Sequence, residues 1–134
     1  MTIALLILTL LSNRPATPCP GWLGLGFRYQ PPAHGNADGW IYVQRLAPAG
    51  PAERAGLVAG DVISAIDGQA IRYVDELSLL QRLSRFSGGA VIHLTVRRGT
   101  RTALANITAA TASKEQCAAW RQSFDMARAK APSR

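Results

Sequence analysis

Acidic side chains are scarce in this chain: 8 Asp/Glu stand against 15 Lys/Arg among 134 residues, for a formal net charge of +7. No His/Cys/Asp/Glu group has the spacing of a metal site, so neither metal nor cofactor is expected. Cysteine is limited to Cys19 and Cys117, too far apart for a zinc knuckle or a redox pair. Histidine is limited to His34 and His93. With no Gly-x-Ser-x-Gly, no Ser/Lys dyad and no room for a protease domain, the chain does not read as an enzyme. Neither Gly-x-Gly-x-x-Gly nor Gly-Lys-Ser/Thr occurs, which removes the phosphate cradles. Aromatic residues make up 7% and do not interleave with the scattered basic ones, so nucleic acid is not an expected partner. No apolar run reaches the roughly 20 residues that a membrane-spanning helix needs.

What is present is a globular composition, 48% hydrophobic, of a size for one domain with extensions. The charge is lopsided. Residues 81–134 hold ten Lys/Arg and two Asp/Glu, while the first 80 hold five and six. The basic half favours acidic or carboxylate-bearing partners. The apolar run at residues 3–11 has the length of a signal-peptide core, although no basic residue precedes it and no clean small-x-small cleavage site follows. A buried strand is the alternative. Export to a bacterial periplasm, the envelope or the outside follows from the first reading, and a cytoplasmic location from the second. Uncleaved, this segment is the one expected membrane contact. In an exported chain Cys19 and Cys117 are expected to pair, because domain ends lie close together. In a cytosolic one they are two small apolar residues.

Three prolines within residues 15–20 make a linker, so residues 1–20 are set apart from the domain at 21–110, and 111–134 form a tail. A short strand follows Gly24, and residues 30–39 form a turn-rich connection to a strand over 40–46. Pro51 and Gly56 bracket a short helix within 48–56. A strand over 61–66 closes at Asp67-Gly68. Asp75 is the expected N-cap of a helix reaching about Phe86. Strands are expected over 90–98 and 102–109. Ser113-x-x-Gln116 is a capping box, opening a helix whose Cys117, Trp120, Phe124 and Ala127 share a core-covering face. Residues 129–134 are expected to fray.

Five motifs stand in order: Gly24-Leu25-Gly26-Phe27, Gly50-Pro51-Ala52-Glu53-Arg54-Ala55-Gly56-Leu57, Gly60-Asp61-Val62-Ile63, Ile66-Asp67-Gly68 and the helix after Asp75. Over residues 21–109 they resemble a PDZ domain. The loop at the start of the domain resembles the permuted order of PDZ domains in bacterial envelope proteases. The resemblance implies an α+β, mainly β fold: a partly open barrel or sandwich of five to six strands with two helices, here followed by the C-terminal amphipathic helix. It also implies that backbone N–H groups of Leu25, Gly26 and Phe27 hold a partner's terminal carboxylate. Leu25 and Phe27 would wall the pocket for the last side chain, and Phe27, Arg28 and Tyr29 would offer a strand edge.

At about 100° per residue, Glu76, Leu80 and Leu83 share the face that forms the opposite wall. The family's selector position, which reads the residue two before the partner's C-terminus, falls on Glu76, or on Leu77 if the helix starts one residue later. Many animal PDZ domains carry Lys or Arg shortly before the loop. Here that stretch is Pro18-Cys19-Pro20-Gly21, with Arg28 and Arg82 as candidate substitutes. The expected function is capture of protein C-termini or extended peptides by strand addition. The rival readings are a regulatory or substrate-delivery part of an envelope protease, and an assembly protein that contacts partners through its C-terminal helix.

Overall fold

The computed structural model describes residues 19–33 and 38–131. The apolar segment at 3–11, most of the proline linker, His34 and the end of the tail lie outside the described residues.

Side-chain alternation sets the sheet. In β2 (Trp40–Leu46) Ile41 and Val43 are buried while Trp40 and Tyr42 are exposed. In β5 (Val91–Arg98) Ile92, Leu94 and Val96 turn inward. With β1 (Leu25–Gln30), β3 (Val62–Ile66), β4 (Gln69–Ala70) and β6 (Arg101–Thr108), these make one six-stranded antiparallel sheet. The order is β1-β2-β3-β5-β6, and β4 pairs with β3. The β3–β4 turn has φ of 50° at Asp67 and 79° at Gly68, the left-handed pair that Asp-Gly accepts in a tight hairpin. The sheet is not closed. A single antiparallel bridge, Trp22 to Ala110, links the segment before β1 to the end of β6.

Three helices complete the fold among the described residues. α1 (Pro51–Arg54) is shorter than the 48–56 bracket, because Gly50 is its extended N-cap and Pro51 starts the turn. α2 (Glu76–Leu83) begins at the expected cap: Asp75 Oδ1 accepts from the Ser78 N–H at 2.8 Å. It ends before Phe86 because the backbone tightens there, Arg85 N–H bonding Arg82 O and Phe86 N–H bonding Leu83 O, both at 3.3 Å. α3 (Lys114–Lys130) carries both halves of the capping box between Ser113 and Gln116. It stays helical through Ala129 and Lys130, where fraying was expected, with the Ala131 N–H bonding Ala127 O at 3.0 Å.

The core lies between the inner sheet face, α2 and the α1–β3 connection, centred on Val43, Leu57, Ile71, Leu79, Ile92 and Ile107. Its one buried charge among the described residues is Asp61. Arg98 grips that carboxylate twice, Nε to Oδ1 and Nη2 to Oδ2, each at 2.8 Å, and the Val58 N–H donates to Oδ2 at 3.0 Å. Those donors, Arg98 first, hold the Asp61 carboxyl below its usual range. Cys19 and Cys117 form a disulfide, Cα to Cα 5.8 Å, across a separation of 98 residues.

Candidate functional site

The loop before β1 is tied down by its carbonyls. Leu23 O accepts from the Ala52 N–H at 3.0 Å, and Gly24 O accepts from the Ala47 N–H at 2.9 Å. A trans peptide sets its C=O and the following N–H on opposite sides. The N–H groups of Gly24 and Leu25 are therefore turned away from α1 and from the end of β2. Gly24 has φ +72°, and a Cβ there would meet Pro51 Cδ at 3.1 Å. Glycine allows both the turn and the close approach. Upstream, the loop is anchored where the Gly21 N–H donates to Phe86 O at 2.6 Å, directly after α2.

Between this loop, β1 and α2 lies a groove of about 490 Å³, a size usual for ligand sites. Gly24, Leu25, Gly26 and Phe27 line one side, and Glu76, Leu80 and Leu83 line the other. β1 is at the end of the sheet order, with β2 its only strand partner among the described residues. Its first three residues, Leu25, Gly26 and Phe27, border the groove, and a strand at the end of a sheet is where an added strand can pair. The helix begins at Glu76, which faces the groove, and Leu77 does not border it.

Two further candidates from the sequence are placed differently from the loop and α2 residues. The Arg28 side chain is exposed, its guanidinium 5.7 Å from the Tyr42 ring centroid. Tyr29 turns inward, and its hydroxyl donates to Tyr73 O at 2.5 Å. Burial is the main cause that pushes this phenol up to about 12. Neither Arg28 nor Tyr29 borders the groove; of β1 it is Leu25, Gly26 and Phe27 that do. Arg82 pairs with Asp67 at 3.4 Å and lies over Phe86, also away from the groove. His93, outside the groove, has Nδ1 2.8 Å from Asn106 Oδ1.

The structure brings in residues that the sequence pattern did not single out for the site. Arg45 is opposite Gly26 in the β1–β2 pairing, and the register slips just beyond. A Cβ on Gly26 would come within 2.7 Å of Arg45 Nε, so the arginine chain lies across the glycine at the mouth of the loop. It has no ion-pair partner among the described residues. α3 contributes as well: Gln116, Ala119, Trp120 and Ser123 border the groove. The cross-strand position of Arg45 depends on a register slip that composition does not reveal. The place of α3 was partly signalled by Cys19, five residues ahead of Gly24.

Residues 42–98 match the family model described as PDZ domain. The chain contains a PDZ domain. A region of 86 residues is 35% identical to carboxyl-terminal-processing peptidase 2, chloroplastic, of Arabidopsis thaliana, covering 64% of this chain and 16% of that protein. A probable periplasmic serine endoprotease DegP-like of Halomonas elongata is 41% identical over 86 residues, 58% of this chain and 17% of its own. The chain thus spans about a sixth of the length of each of these relatives. Among solved structures, the photosystem II D1 C-terminal processing protease superposes with TM-score 0.55 at 25% identity, over 78% of this chain and 27% of that one. The HtrA-type protease AlgW with decapeptide superposes with TM-score 0.58 over 84% of this chain and 35% of the other, and at 24% identity this likeness concerns the fold alone. Of the two sides of the groove, the α2 face lies within the matched residues and Gly24–Phe27 lies ahead of them.

Proposed function

We propose that this PDZ domain is a binding module that takes the C-terminal segment of a partner protein, or an extended peptide, as an added strand on β1. The observation that carries the reading is the outer edge of β1 beside a 490 Å³ groove with a tied glycine loop at its end. Peptide main chain would bond β1 at Phe27, Arg28 and Tyr29, while N–H groups of Leu25, Gly26 and Phe27 take the carboxylate. Arg45 supplies the positive charge that the upstream stretch lacks. Chemistry on the bound partner belongs to other polypeptide. Titration of the full chain with C-terminal peptides as free acids and as amides tests the reading. Tight binding of the acid and loss on amidation is expected, and equal binding of both overturns carboxylate capture.

A protease-associated role, presenting or regulating substrates, is the second reading. It is favoured by the two relatives above, whose names are those of proteases. The disulfide and the periplasmic name of one relative favour an envelope compartment. Co-purification with a protease from the source cell, lost on blocking the groove with a bound peptide, is the expected result. Assembly through α3 has less support, because its Trp120 packs against the core and the groove.

A further inference from the structure

A strand-added peptide alternates its side chains between two faces. In a groove with two walls, the last residue and the one two before it point into the protein, and the penultimate side chain points to water. This domain has a third element at its groove. Gln116, Ala119, Trp120 and Ser123 recur at helical spacing on one face of α3, and all border the same cavity as β1 and α2. From Gln116 to Ser123 this face runs about 10 Å at ~1.5 Å per residue. Three residues of extended peptide span about the same length. The α3 face is therefore long enough to contact a bound tripeptide. Leu80 borders the same cavity and is only 2% exposed. α3 is also fixed in place. It packs on α2, and its first turn is tied by Cys117 to Cys19, just ahead of the loop.

We propose that α3 is a third wall of the peptide groove and that Trp120 reads the partner's penultimate side chain, favouring a large apolar one. The inference rests on the strand-addition reading above and deepens it. The α3 face offers a half-buried indole flanked by small or neutral side chains, and it carries no charge. A flexible polar side chain in the penultimate position gains little there, whereas a leucine or phenylalanine buries its surface against the ring.

The test uses the full chain with its disulfide intact and free-acid peptides that differ only at the penultimate residue: Ser, Ala, Leu and Phe. The expected order is Phe and Leu over Ala and Ser, by roughly tenfold on the apolar area that an indole face covers. Trp120→Ala should reduce that ratio to near one while acid-over-amide discrimination persists. Because Trp120 also packs against the core, Ala119→Trp serves as a second variant at an exposed position on the same wall. It should exclude Phe and Leu and leave Ala and Ser binding in place. Indifference of the wild-type chain to the penultimate residue, with acid-over-amide discrimination retained, overturns the third wall and leaves the groove reading standing. An unchanged ratio in both variants overturns it too. If no acid peptide binds the wild-type chain, the groove reading falls and the third wall falls with it.

Discussion

The Tyr29 hydroxyl donates to the Tyr73 carbonyl at 2.5 Å, joining β1 to the residues that lead into α2. Tyr73 is two residues ahead of the Asp75 cap, so this bond ties β1 to the start of α2, as the Gly21–Phe86 bond ties the loop to its end. Tyr29→Phe should lower stability by about 1 kcal/mol, the usual net value of one such bond. Peptide affinity should fall as well, because the walls lose their tie. Denaturant titration and peptide titration of the same variant check the two effects together.

The same phenol gives an alkaline limit. Its folded value of about 12 exceeds the ordinary 10.0, so folding favours the neutral form. That contribution is complete below pH 10 and is lost as pH rises toward 12. Thermal melts across this interval should fall in the wild-type chain and fall less in Tyr29→Phe.

At the acid end the sign reverses. Asp61 titrates below its ordinary value of 3.8, held there chiefly by Arg98. Its contribution is present above that value and is lost as pH drops through the lowered folded one. Asp61→Asn should melt lower than wild type at neutral pH and lose most of the wild-type slope below pH about 4. Melting curves at successive pH values read both outcomes.

Arg45 is on the surface, so its charge should act with a surface magnitude. Arg45→Gln is expected to weaken acid peptides by roughly three- to tenfold at low salt, and by less as salt rises. Amidated peptides should hardly change. Isothermal titration at two ionic strengths separates the charge effect from a packing one.

Glu76 borders the groove at the first turn of α2. Peptides with Lys two residues before the C-terminus should bind more tightly than those with Glu there, and Glu76→Lys should reverse the order. Fluorescence anisotropy with the two peptides gives the answer directly.

Much of the architecture was legible because it is local. Asp75 and Ser113 announce their helices through short polar side chains that cap them, and Asp67-Gly68 announces its hairpin through left-handed backbone. Alternation at Ile92, Leu94 and Val96 marks β5 in the same way. Elements ended where tertiary geometry took over. α2 stops at Leu83 because the chain must tighten to deliver Phe86 O to the Gly21 N–H. The lining of the groove was legible where it lies on one element, as at Gly24–Phe27 and on the Glu76–Leu83 face. It was hidden where partners meet across elements. Arg45 reaches Gly26 through a slipped register, and Trp120 reaches the groove because a disulfide brings α3 beside the loop. Spacing along the chain carries neither fact.

That disulfide also has a mechanical meaning. Cys19 and Cys117 close a covalent ring around the whole sheet, with their Cα atoms only 5.8 Å apart. Tension applied to the chain on either side of the ring passes through this short bridge and does not load the strands within it. A partner that pulls on the flanking segments would leave the sheet, α1 and α2 unloaded inside the ring, while α3 beyond Cys117 takes the tension on the C-terminal side, until the sulfur–sulfur bond itself is reduced.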